Sequence, residues 1–231
     1  MRDMERWVTL FEANCDPARE AEFNDWYDNT HVPDVLATPG YQRGRRYVNR
    51  EFRDGRGKYL AIYDIDTDDI EKTMQVRLAK REEETKSGRG SATRPTLVFM
   101  LWRDVLFRRI FEMAKPGNAT GKQKWINLVE QNNDPAREAE YHDWYNNMHI
   151  PDILKTPGFV KATRYEIKAP RDGRGRFLAV YEIETDDIAE TMKVRLAKRE
   201  EETKAGRAST SRNHLTRAVW RDVLWKLILE K

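Results

Sequence analysis

The run Trp26-Tyr27-Asp28-Asn29-Thr30-His31-Val32-Pro33-Asp34-Val35-Leu36 is met again 118 residues on, as Trp144-Tyr145-Asn146-Asn147-Met148-His149-Ile150-Pro151-Asp152-Ile153-Leu154. Imidazole is the side chain whose ordinary pKa, about 6.5, lets it take and give a proton near neutrality. The chain has only 4 histidines, and His31 and His149 hold the same place in the two runs. They are therefore the first candidates for a general base or acid, a role that contributes about 10²–10⁴-fold. The competing reading is structural, a ring that ties a helix end to a backbone carbonyl. Pro33 cannot continue a regular helix and pushes Val32 toward extended geometry, which predicts a corner where the imidazole leaves the helix stack.

Other residues around each histidine have chemistry to offer, each with a plainer alternative. Asp34 and Asp152, three residues on, can orient the ring and raise its basicity or can cap the short turn that follows the proline. Tyr27 and Tyr145, one helical turn back, can hydrogen-bond a substrate oxygen or pack in the core; Trp26 and Trp144 read as core. Arg46 and Arg164 can clamp a carboxylate or phenolate in bidentate fashion, or be ion-paired arginines. Asn14 and Asn132, where a first strand ends, are cavity donors or turn formers. Together these form the expected substrate-binding set around the two histidines.

Cofactor chemistry finds little support. A metal site needs three or four converging ligands, and His31 with Asp34 supplies too few. A histidine-ligated haem is conceivable but has no motif behind it. The segments Asp54-Gly55-Arg56-Gly57 and Asp172-Gly173-Arg174-Gly175 lack phosphate-loop spacing and read as hairpin turns. Nothing resembles a nicotinamide or flavin fingerprint, so no cofactor and no metal are expected. Cys15 is the only cysteine and faces Asn133 in the other copy, which argues for a structural thiol in a reducing compartment.

These residues need elements to position them. Trp7–Ala13 reads as a strand. Asp16-Pro17 supplies a helix N-cap followed by a proline at the first helical position. That helix carries Phe23, Trp26, Tyr27 and Thr30 at 3–4 spacing, as an inward stripe. Thr38-Pro39-Gly40 stops it. Tyr41–Arg50 and Lys58–Ile65 are two arms of a hairpin. Thr67-Asp68-Asp69 caps a second helix with Ile70, Met74 and Leu78 in line, a Glu82/Lys86 pair and a charge run expected to be a solvated face. Thr96–Phe107 closes the unit as a strand. The order β-α-β-β-α-β is that of the split βαβ, or ferredoxin-like, plan.

Aligned from Trp7 with Trp125 to Phe107 with Trp225, the two halves are identical at about three positions in five. The expected organisation is one repeat over residues 1–110, a linker over 111–124 and a second repeat over 125–231. The strands are apolar on both faces, so each sheet needs a second cover, and the other repeat is the expected one, with a cavity between or beside the sheets. Strand four changes from Leu97-Val98-Phe99-Met100-Leu101 to Leu215-Thr216-Arg217-Ala218-Val219, and Asn24 and Thr96 become His142 and His214, which predicts unequal pockets or, as the alternative, a more exposed fourth strand in the second copy. With 39% hydrophobic residues and a formal net charge of +3, its basic and acidic residues finely mixed, the chain reads as a globular cytoplasmic protein. No nucleic-acid face, membrane span or secretory leader is expected from its residues.

The ferredoxin-like order, the Trp-Tyr-x-x-x-His-x-Pro-Asp-x-Leu run, the Thr-Pro-Gly-aromatic after it and the pairs Arg46-Tyr47 and Arg164-Tyr165 together resemble the EthD-like branch of the dimeric α/β-barrel superfamily. The resemblance implies two units fused into an internal dimer of α+β class, each with a small-molecule pocket. It also implies one of several activities: polyketide cyclases, lactone isomerases, cofactor-free monooxygenases, a hydroxynitrile lyase and haem-using enzymes share the fold, which does not decide among them. The expectation taken forward is a cofactor-independent lyase, isomerase or cyclase acting on a small aromatic or polyketide-like molecule. The alternatives are a non-catalytic binding or accessory protein for an oxygenase, and a cofactor-free monooxygenase. The two-repeat chain can itself form a homodimer.

Overall fold

The computed structural model describes residues 3–49, 57–94, 98–116, 123–169, 175–212 and 214–231, with side chains described outside 98–104 and 217–221. The chain divides into two compact units. Met1–Arg108 with Leu227–Lys231 make the first, and Arg109–Lys226 the second. Unit 1 runs β1 (Glu5–Cys15), α1 (Glu20–Trp26), α2 (Val32–Leu36), β2 (Tyr41–Asn49), β3 (Tyr59–Thr67), α3 (Ile70–Lys86) and β4 (Val98–Ala114), of which it holds the part through Arg108. Unit 2 repeats the order with β5 (Gln123–Asn133), α4 (Glu138–Trp144), α5 (Ile150–Leu154), β6 (Phe159–Ile167), β7 (Phe177–Thr185), α6 (Ile188–Lys204) and β8 (Thr216–Glu230), the last held through Lys226.

In unit 1 the strands lie in the order β4-β1-β3-β2, all antiparallel, with Trp7 opposite Ile65 and Gly44 opposite Tyr63. The chain's last residues complete that sheet: Gly44 and Lys231 exchange both backbone bonds, each 2.9 Å. Unit 2 has β8-β5-β7-β6 in the same register, Trp125 opposite Ile183. The α+β ferredoxin-like repeat read from the sequence is thus present twice. Consecutive residues of β1, Trp7 to Leu10, are all buried, so both faces of the strand are covered.

Local signals explain most boundaries. Asp16 and Asp134 cap their turns by accepting from Ala18 and Ala136 N–H at 2.9 and 3.1 Å, and Asp69 and Asp187 cap α3 and α6. Four expectations need correction. Phe111 to Ala114 are strand rather than linker, because β4 runs on to Ala114, while residues 117–122 of the expected linker lie outside the description. The buried face of α3 is Ile70, Thr73, Arg77 and Glu84, with Leu78 55% exposed. The charge run is therefore not wholly solvated: Arg77 and Glu84 are buried and bidentately paired, Nη2 to Oε2 at 3.0 Å, and Arg195 with Glu202 repeats this at 2.6 and 2.8 Å. Glu82 and Lys86 are both exposed.

The fourth correction concerns the proline corner. Val32 is helical at φ −61° and ψ −47°, so the chain does not turn extended there. Instead Tyr27–His31 forms a π-turn inserted between α1 and α2, with Val32 N–H reaching back to the Tyr27 carbonyl. The wider turn accommodates Pro33, which has no N–H to give and would crowd the preceding turn of a regular helix. It also leaves the Asp28 carbonyl without a helical donor, and the Lys231 ammonium takes that place. Tyr145–His149 forms the same π-turn before Pro151.

The Asp-Gly turns of the hairpins lie outside the described residues, but the glycines that follow them show a requirement unrelated to turning. A Cβ on Gly57 would stand 2.3 Å from Glu12 Cγ, and one on Gly175 2.5 Å from Glu130 Cγ. Each glycine N–H donates to that buried carboxylate, at 2.8 and 3.1 Å. Close approach of backbone to a buried glutamate is what these positions demand.

Candidate functional site

The π-turn sets the face that His31 presents. Tyr27, His31 and Val35 line one side of a cavity of about 350 Å³ within unit 1. Trp26 joins them from α1, Phe11 and Ala13 from β1, Tyr41 from the start of β2, and Met74, Arg77, Leu78 and Arg81 from α3. The hollow thus lies between this unit's own helices and its own sheet. That volume suits a molecule of one or two rings, and the wall is mostly aromatic and aliphatic with a few polar groups, the usual make-up of a small-molecule site.

His31 is held by rings rather than by hydrogen bonds. Its imidazole stacks on Trp26 at 4.9 Å between centroids and meets Tyr27 edge-on at 4.8 Å. Nδ1 is shielded from solvent and has no hydrogen-bond partner among the described residues. Burial, with the guanidiniums of Arg77, Arg81 and Arg46 adding to it, pushes the pKa down to about 3. The ring is therefore neutral at pH 7, with a lone pair to offer.

Neither aspartate orients its histidine. Asp34 lies 3.5 Å from Arg89 Nε, and Asp152 accepts from Lys155 at 2.7 Å and Arg207 at 2.9 Å. Burial works to raise the Asp152 pKa, but these two hydrogen bonds outweigh it and hold the carboxyl low. Neither caps its helix through the side chain. What they do is fasten a segment whose carbonyl receives the tryptophan N–H: Trp26 donates to Arg89 O and Trp144 to Arg207 O, both at 2.9 Å. The ring against which each histidine stacks is thereby fixed from behind.

Arg46 and Arg164 also lie apart from the cavity wall. Arg46, 1% exposed, pairs with Asp28, donates to Asn24 Oδ1 at 2.8 Å and lies over the Tyr27 ring at 4.3 Å. Arg164 is as deeply buried and stacks on Tyr145 at 4.1 Å, but it meets Asn146 rather than a carboxylate, at 2.6 Å, and its Nη2 has no partner among the described residues. Asn14 and Asn132 accept from the backbone N–H of Lys58 and Arg176, both at 2.6 Å, which holds the returning arm of each hairpin.

The residues the sequence reading missed are Phe11, Met74, Arg77 and Arg81. The signal for Arg77 was present: it falls on the same helical face as Ile70, Thr73 and Glu84. Among the described residues no group of three or more His, Cys, Asp or Glu side chains is placed to hold a metal ion.

Unit 2 repeats the setting of the histidine. His149 stacks on Trp144 at 4.8 Å and meets Tyr145 edge-on at 4.9 Å, its Nδ1 is unpartnered, and burial lowers its pKa to about 3. The opposite wall differs. Gln131 stands where unit 1 has Ala13, and it donates to the hydroxyl of Tyr141, the counterpart of Phe23, at 2.6 Å. Tyr145 and Tyr181 bring their hydroxyls within 2.9 Å of each other, and burial raises both pKa values. The unequal pockets expected from strand four rest on side chains outside the description, apart from Leu215 and Thr216; the inequality described here comes from β5 and α4.

Comparison with known proteins adds the fold class. A family model described as a domain of unknown function, DUF4286, matches residues 126–211. No curated protein matches the sequence. Among solved structures, an anthrone oxidase-like protein superposes with a TM-score of 0.62 at 12% identity, over 99% of this chain and 93% of that one. A provisionally named monooxygenase of Fusobacterium nucleatum gives 0.63 at 8% identity, over 98% and 94%. A variant of chlorite dismutase from Candidatus Nitrospira defluvii gives 0.60 at 12% identity, over 97% and 91%. At these identities the likeness shows the fold alone, the dimeric α/β-barrel type built from two ferredoxin-like repeats. Among the described residues no helix is long and apolar enough to cross a membrane.

Proposed function

We propose that the protein is a general acid–base enzyme of the EthD-like branch, acting in the unit 1 cavity on a small aromatic or polyketide-like molecule. His31 moves the proton in a lyase, isomerase or cyclase step, without a cofactor, and Tyr27 holds a substrate oxygen. One observation carries the reading: His31 forms part of an aromatic-walled hollow of about 350 Å³, with a buried, unpartnered ring nitrogen. The ring is in its base form at neutral pH. As a base of pKa about 3 it is weak, so the reading also requires that bound substrate offset the arginines beside it. Cytoplasmic location, and pairing of the two-repeat chain as a homodimer, belong to the same reading.

The test is proton abstraction from 5-nitrobenzisoxazole, a small aromatic probe that opens to a coloured phenolate when a base removes its ring proton. His31→Gln is expected to lower the rate by about 10²-fold or more, while His149→Gln leaves it unchanged. Equal rates in wild type and His31→Gln would refute the acid–base role. A second reading, a carrier that holds the same molecule without turning it over, is favoured by the lack of any group on Nδ1 to orient the ring. It predicts binding of aromatic probes by wild type and His31→Gln alike, with no turnover in either.

A further inference from the structure

Among the described residues the cavity wall carries arginines and no acid. Arg77 and Arg81 both line it, and none of the other lining residues is Asp or Glu. The two arginines are not equivalent. Both Nη atoms of Arg77 are engaged by Glu84, which neutralises that charge and fixes the side chain in the core. Arg81, one helical turn further on, is exposed and forms no ion pair among the described residues. A third guanidinium, Arg94, stands 5.7 Å from the ring centroid of Trp26, and its Nε is buried without a partner among the described residues. Facing these charges are the rings of Trp26, Tyr27, Phe11 and Tyr41, which give a flat ligand large apolar contact surfaces.

We propose that the unit 1 cavity selects an aromatic oxyanion, a carboxylate or phenolate on one or two fused rings, with Arg81 as the group that pairs with its charge. This rests on the reading of the cavity as a small-molecule site and names the class of molecule it takes. A guanidinium matches a planar oxyanion with two parallel N–H donors, and at the rim of an apolar hollow that pairing is partly shielded from water. The choice also bears on the weakness of His31 as a base, of which burial is the larger cause and the arginines the smaller. The groups facing His31 are Trp26 and Tyr27 on its own helix, Arg77 and Arg81 on α3 and Arg46 on β2. An anion bound beside the arginines offsets their share of what disfavours the imidazolium and leaves the share due to burial.

The experiment is calorimetric titration of the full chain with 2-naphthoate and with 2-naphthamide, its neutral isostere. The acid is expected to bind about tenfold tighter than the amide. Arg81→Gln removes that preference while amide binding is retained, and Arg81→Lys restores part of it. Equal affinities in the wild type, or a preference unchanged in Arg81→Gln, would overturn the anion assignment and leave the aromatic cavity standing. Equal loss of both ligands in Arg81→Gln would mark the residue as structural and likewise overturn it. Failure of both ligands to bind would overturn the cavity reading together with this one.

Discussion

His31 and His149 have the same neighbours at the same distances to within 0.1 Å, yet they face different walls. In unit 1 the position opposite is Ala13, and the phenyl ring of Phe23 closes the core behind it; in unit 2 Gln131 and Tyr141 occupy the same register and bond to each other. The contrast separates what the fold imposes from what a site requires. Proline, π-turn, tryptophan latch and depressed imidazole pKa come with the repeat, because both copies have them. The hollow of unit 1 borders Ala13 on β1, and the matching position on β5 is Gln131. The polar partners of the buried arginine have diverged too, from Asp28 and Asn24 around Arg46 to Asn146 beside Arg164.

Three measurements sharpen the comparison. The largest effect is expected where the units agree. Glu84→Gln and Glu202→Gln each leave a buried guanidinium without its carboxylate and should cost about 3–5 kcal/mol in chemical denaturation; a small loss in one unit alone would show that the two staples differ. Next is acid sensitivity. An imidazole whose folded pKa is depressed takes its proton first in the unfolded chain, so stability is full above pH 6.5 and falls as the pH drops toward about 3. At pH 5 each ring should cost about 2 kcal/mol. His31→Gln and His149→Gln should each flatten the pH dependence by that amount, and an unchanged slope in either would place that ring in contact with water. The smallest effect belongs to the buried arginines. Asn146→Asp gives Arg164 the counter-charge that Arg46 has and should stabilise unit 2 by about 1–2 kcal/mol, with Asp28→Asn doing the reverse in unit 1.

The repeat and its element order are legible in the sequence because caps and strands have local causes: Asp16-Pro17, Asp69 and the β-branched and aromatic runs act within a few residues of themselves. The cavity is not legible in the same way. Pro33 signals a disturbed helix, but not that the chain widens into a π-turn there, as it also does before Pro151; in unit 1 the Asp28 carbonyl in that turn is met by Lys231, far away in the chain. Arg46 reads as a clamp until Asp28, on a different element, is seen to neutralise it. Arg81 belongs to a run of charge that looks uniformly solvated, and only the fold reveals which of its cations stands beside an aromatic wall.

The most direct test transplants the difference between the two units. Ala13→Gln in unit 1 recreates the side chain found in unit 2, and titration with 2-naphthoate counts the sites. Binding of one equivalent by the wild type and none by the variant is the predicted result. Two equivalents in the wild type, or unaltered binding in the variant, would show that the hollow beside His31 is not what distinguishes this half of the chain.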